Sequence, residues 1–284
     1  MGAVLIDGTG GPPISNSIVL FSGPRIVATG SRTAFVIPQG TEEIDGSGQY
    51  IIPALIDVYV RSGDSVTAEA GGQTFSAGLL ASQVSPELVR RQIDGFAAER
   101  RYTALIDSLT PQAEEAALDE SRKLKIPVFA RVSKLSDAQR LVTAGAAGFM
   151  GMIVDTEQID RALITKMRDL KVIWTPTLVD QPAAALEVAK RNTMRMAAGG
   201  VFIAVGGAPI ERELELLVEA GMSPGDAIVA ATRNGAMVLR KTVELGTLQA
   251  GKRADLLMLP KNPIEYIRNL RQRGREMLGG VWVK

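Results

Sequence analysis

Residues 51–61 read "IIPALIDVYVR". Aliphatic and β-branched side chains dominate. Such a stretch reads as a strand buried on both faces, entered through a proline. It also marks a change of rhythm. Residues 1–52 carry short apolar runs, "GAVLID" and "SIVLF", separated by the turn words "GTGGPP" and "FSGPR". That is the alternation of small antiparallel strands and tight turns.

Beyond residue 53, short apolar runs alternate with amphipathic stretches, the pattern of βα units on a parallel sheet. Strands are expected at 54–60, 103–107, 127–132, 148–154, 171–175 and 201–205. The helices between them announce their own starts. "SPELVRRQIDGFAAERR" opens with Ser85 as cap and Pro86 in the first turn, and "TPQAEEAALDESRKLK" repeats the device with Thr110 and Pro111. "LSDAQRLVTAG" stops on Gly145, and "TEQIDRALITKMRDL" and "QPAAALEVAKRNTMRMAAGG" follow. A last helical pair, "ERELELLVEAG" and "SPGDAIVAATRNGAMVL", precedes a return of the strand rhythm in "GTLQAGKRADLLMLP" and "REMLGGVWVK". Strands at both ends thus flank a βα middle, and the two ends are expected to pair into one small β-domain.

Composition narrows the chemistry. The chain has 284 residues, a net charge of +1, 46% hydrophobic residues, no cysteine and no histidine. Near-neutral charge gives no field for nucleic acid or anionic lipid. No apolar run is long enough to span a bilayer. Asp7 interrupts the first apolar run and no basic stretch precedes it, so a secretory leader is not expected and a soluble, cytoplasmic protein is. Without cysteine there is no disulfide or thiolate, and without histidine there is no Ser-His-Asp triad, imidazole base or imidazole metal ligand.

The words "LIDGTGGPPISNSIVLFSGPRIVATG", "IDGSGQYIIPALID", "ELELLVEAGMSPGDAIVAATRNGAMVL", "GTLQAGKRADLLML" and "GGVWVK" occur in that order. In combination the chain resembles the metal-dependent amidohydrolase superfamily, most of all its imidazolonepropionase and prolidase-like branch. The resemblance implies an α/β fold, a (β/α)8 barrel with a β-sandwich built from both termini. On this reading residues 1–52 and 244–284 form the composite β-domain and residues 53–243 the barrel. That segment falls short of the roughly 250 residues of a full barrel. Residues 62–102 hold one clear helix where two βα units belong, so a reduced barrel is expected. Its gap should be covered by a loop or a partner chain, since bare strand edges are a liability.

The resemblance implies one or two divalent metals at the C-terminal ends of the barrel strands, which make hydroxide near neutral pH. Here the ligand positions are changed. Tyr59 and Arg61 stand where His-x-His ends the first strand. Asp107 in "YTALIDS" replaces the carboxylated lysine of the fourth. Arg131 in "IPVFARVS" replaces the fifth-strand histidine. Gly151 in "GFMGMI" takes the sixth, and Gly207 in "AVGGAP" leaves the eighth without its carboxylate. Arginine has no lone pair for a metal. No metal and no other cofactor are therefore expected.

Tyr59, Arg61, Asp107 and Arg131 remain as a possible binding constellation. Two guanidiniums against one carboxylate suit a small anionic ligand. The plain alternative is that an Asp107–Arg131 or Asp107–Arg61 pair fills the hole left by the metal. Metal-free catalysis with Asp107 as base and Tyr59 as acid is a third reading. It is disfavoured because two adjacent guanidiniums hold the aspartate ionised and occupied. The basic run "RNLRQRGR" at 268–275 reads as a solvated rim. The expectation is a non-catalytic amidohydrolase-fold protein, a ligand-binding module or a subunit beside an active paralogue, itself prone to form homo-oligomers. The alternative is a hydrolase of carbon–nitrogen bonds with an atypical site.

Overall fold

The structure is a computed structural model that describes residues 1–62, 65–80 and 84–283. Four strands open the chain: β1 (Val4–Leu5), β2 (Ser17–Ser22), β3 (Arg25–Ser31) and β4 (Tyr50–Pro53). Then come β5 (Ile56–Ser62), β6 (Ser65–Ala70), β7 (Gln73–Ser76) and β8 (Gly78–Leu80). The alternating part runs α1 (Pro86–Ala98), β9 (Ala104–Ile106), α2 (Pro111–Leu124), β10 (Val128–Arg131), α3 (Leu135–Ala144) and β11 (Gly148–Met150). It continues through α4 (Arg161–Asp169), β12 (Ile173–Thr175), α5 (Ala183–Ala198), β13 (Phe202–Ile203) and α6 (Ile210–Glu219). The helical path α7 (Pro224–Val229), a π-turn at Ala230–Asn234 and α8 (Gly235–Val238) leads to β14 (Leu256–Leu259), β15 (Arg275–Leu278) and β16 (Val281–Trp282).

Helices begin where the caps say they should. Ser85 Oγ accepts from Leu88 N and Thr110 Oγ1 from Ala113 N, each ahead of a proline at the first helical position. α4 starts later than the acidic run "DTEQID" suggests. Asp160 is its cap, and Asp155 instead accepts from Leu135 N at the start of α3. β11 is shorter than expected because Gly151, at φ +91°, turns the chain out of the strand.

A parallel sheet of six strands, in the order β13-β12-β11-β10-β9-β8, forms the barrel wall. Alternation sorts its side chains. Leu105, Phe129, Met150 and Ile173 point into the barrel, while Ala104, Ile106, Val128, Ala130, Phe149 and Trp174 pack outward against the helices. β5 joins β13 through Val58 N, which donates to Val205 O at 3.0 Å. On its other side β5 pairs antiparallel with β6, and β6 meets the chain entering β8 where Ala77 N donates to Val66 O at 2.9 Å. The six parallel strands with β5 and β6 therefore make a ring of eight among the described residues.

The shortening read from residues 62–102 takes a definite form. A β-hairpin, β6–β7, stands where a βα unit would. It closes the wall with this chain's own backbone, where a covering loop was one expectation from sequence. Gly71 and Gly72, at φ +53° and +70°, form its two-residue turn. Glycine takes such angles at both positions of a type I′ turn without steric cost.

Strands from both ends of the chain share a second sheet, in the order β1-β4-β14-β15-β16. The β2–β3 hairpin lies against it around a small core of Leu5, Ile26, Ile51, Leu256, Met258 and Met277.

Candidate functional site

Strand register explains what meets at the barrel mouth. β9 and β10 are parallel, with Ala130 opposite Ile106. The next residues, Asp107 and Arg131, share the inward parity of Leu105 and Phe129, so both reach the mouth from neighbouring strands. Arg131 Nη1 lies 3.8 Å from Asp107 Oδ2, and the Arg131 side chain is 46% exposed. That separation is an ion pair but too long for a hydrogen bond. Asp107 Oδ1 accepts instead from Ser108 Oγ at 3.2 Å.

Tyr59 is buried against the inner barrel residues. Gly206 permits this, because a Cβ there would come within 2.7 Å of the Tyr59 Cβ. Arg61 is exposed near the end of β5, opposite Val66 of β6. Of the four residues singled out from sequence, the ion pair that forms is Asp107–Arg131, with Tyr59 below it in the core. Neither the cleft of about 670 Å³ beside the hairpin nor that of about 520 Å³ in the β-domain is lined by Tyr59, Asp107 or Arg131.

Strand ends around the mouth keep unusual backbone. Ser108, Gly151, Thr177 and Gly207 all have positive φ, and Thr177, at +45°, is β-branched. A left-handed β-branched residue is strained and persists only where its surroundings hold it. Glu213 of α6 does so. It is fully buried, and its two oxygens accept from Leu178 N at 2.8 Å and Val179 N at 2.7 Å, immediately after Thr177. Burial pushes the Glu213 carboxyl up to about 8, against the pull of those two amides, with Asp180 and Asp57 adding to the rise.

A second buried acid is Asp57, 8% exposed. Its Oδ1 accepts from Tyr59 N at 2.9 Å and Gly207 N at 3.1 Å, which ties β5 to the end of the last barrel strand. Burial raises its carboxyl above the usual range; the two amides oppose this, and Glu69 and Asp180 reinforce it.

Neither acid figured among the candidate residues from sequence, though both leave a trace there. Asp57 is a lone charge inside the apolar word "LIDVYV". Glu213 falls on the same helical face as Ile210, Leu214 and Leu217, where an apolar residue is the rule.

The metal that the fold implies does not fit these residues. Guanidiniums offer no lone pair, the one carboxylate at the ligand positions is paired with Arg131, and two of those positions are glycine. Among the described residues no three or more carboxylates gather closely enough to hold an ion. The basic run at 268–275 serves α6 and its own sheet. Arg268 pairs with Glu219 at 3.8 Å, Arg271 with Glu215 at 2.5 Å and Arg273 with Glu211, while Arg275 lies 3.9 Å over the Trp282 ring. No described helix is long and apolar enough to cross a membrane.

Solved structures share this architecture over nearly their whole length. Molinate hydrolase is 18% identical with a TM-score of 0.84, over 100% of this chain and 93% of that one. Aspergillus niger ochratoxinase is 17% identical with a TM-score of 0.83, over 99% and 94%. A Xaa-Pro dipeptidase with methionine bound in its active site is 16% identical with a TM-score of 0.79, over 100% and 98%. At such identities the likeness is one of fold. No curated protein matches the sequence. The amidohydrolase family model matches residues 197–283, from the end of α5 to the last strand. The chain thus shares the fold of these hydrolases over its whole length, and its residues 197–283 are similar in sequence to the amidohydrolase family.

Proposed function

We propose that this protein is an amidohydrolase-fold protein whose barrel mouth has given up metal chemistry and binds a small anion without turning it over. The Asp107–Arg131 pair carries the reading. At 3.8 Å the guanidinium is held in place by charge but keeps its donors, and about half of the side chain faces out of the mouth. A planar guanidinium in that position suits bidentate contact with a carboxylate or phosphate. Arg61, exposed on β5, adds a second positive charge at the same end of the barrel. Titration with inorganic phosphate at low ionic strength, followed by calorimetry, tests this. Saturable binding that falls about tenfold in Arg131→Gln is expected. Heat that never saturates, or equal affinity in the variant, would count against it.

The competing reading is a hydrolase of carbon–nitrogen bonds with an atypical site, and it draws on the names of the fold neighbours alone. It requires turnover of an amide or lactam, which the binding reading excludes. The binding reading also leaves room for self-association or for assembly with an active paralogue. Light scattering on the purified chain decides the first: a mass of one chain at all concentrations would remove it.

A further inference from the structure

Two side chains just ahead of β14 pin the β6–β7 hairpin to the composite sheet. Asp255 is 6% exposed. Its Oδ1 accepts from Gly279 N at 2.6 Å and lies 3.2 Å from Arg253 Nε. Arg253 Nη2 donates in turn to Gly71 O, in the hairpin turn, at 3.2 Å. One clasp thus holds the β6–β7 turn and the β15–β16 turn to the same segment.

The clasp leaves one acceptor and one donor over. Asp255 Oδ2 and Arg253 Nη1 are both buried, and neither has a hydrogen-bond partner among the described residues. Buried polar atoms in that state are rare and costly. Both residues line one small cavity of about 10 Å³, bounded also by Pro53 and Ala54 at the end of β4, by Gly71 and by Thr247. That is about the space one water needs. Gly71 has no side chain to fill it, and a Cβ there would lie 2.2 Å from Asp255 Oδ2.

We infer that this cavity is a binding site for one water molecule, which accepts from Arg253 Nη1, donates to Asp255 Oδ2 and so completes the joint between hairpin and sheet. The leftover atoms select the ligand. One donor beside one acceptor calls for a molecule that both accepts and donates. A metal cation would face the guanidinium, which has no lone pair to offer, and an anion would face the carboxylate. Two side-chain partners meet the least that a buried water needs. The site stands apart from the barrel mouth and does not depend on what the mouth binds.

A crystal structure of the wild-type protein, at a resolution that shows ordered solvent, tests the assignment. A single peak within about 2.5–3.2 Å of both Asp255 Oδ2 and Arg253 Nη1 is expected. Arg253→Met keeps an apolar stem and removes the donor, and circular dichroism verifies its fold. Relaxation dispersion of the water oxygen should count one long-lived water fewer in this variant than in the wild type. The assignment is overturned by no peak in the wild type, by a peak that touches only one of the two atoms, or by an unchanged count in the folded variant. Should the variant not fold, the wild-type density decides alone.

Discussion

Glu213 shows how one residue can govern the mouth without facing it. Its carboxyl sits at zero exposure and gathers the two amides that follow the strained Thr177. Because burial raises it from 4.5 to about 8, the folded state holds this proton where the unfolded state releases it. The linkage has a definite sign. Its contribution to stability is fully present below pH 4.5 and is lost as pH rises through about 8. Asp57, also raised by burial, acts in the same direction. Thermal unfolding followed between about pH 5 and pH 9 should show a falling midpoint in the wild type, with a shallower slope in Glu213→Gln. An identical slope in both would contradict this role for Glu213. At this scale the sequence was readable where parity alone decides. Asp107 and Arg131 meet because each lies two residues beyond an inward-facing core side chain. It was unreadable where partners come from far along the chain, as for Asp57 with Gly207, 150 residues apart.

Among the elements, the β6–β7 hairpin carries the difference between this barrel and a regular one. Its turn leaves no room for another residue type. A Cβ on Gly71 would lie 2.2 Å from Asp255 Oδ2, itself a buried oxygen without a partner, and the backbone there is left-handed. Gly71→Ala should cost at least about 1 kcal/mol in denaturant unfolding. Unchanged stability would show that the turn has more freedom than its contacts imply. "EAGGQT" is a hairpin word with two glycines between alternating residues. The sequence reading allowed one or two short strands here and no second long helix, but their register and their place in the wall depend on distant partners. The capped helices were plain by contrast, because Ser-Pro and Thr-Pro act locally and need no distant partner to be read.

At the scale of the whole molecule, one wall and one sheet hold the chain together. The wall closes through Val58 and Val205, and the sheet sets β1 and β4 beside β14, β15 and β16. Hydrophobic periodicity foretold the parallel wall. The pairing of the two ends followed from their shared strand rhythm and from the order of the family words. Ring closure by an antiparallel strand could not be read ahead, since register between distant strands is not a local property.

The scaffold is therefore complete while the strand ends that would grip a metal present a tyrosine, two arginines, one aspartate and two glycines. Elemental analysis of protein purified from zinc-supplemented medium, paired with an amide and lactam hydrolysis screen on the same sample, addresses that mismatch directly. Metal well below one equivalent per chain and no turnover above a blank are expected. One tightly held divalent ion per chain, with hydrolysis that a chelator abolishes and added metal restores, would contradict it.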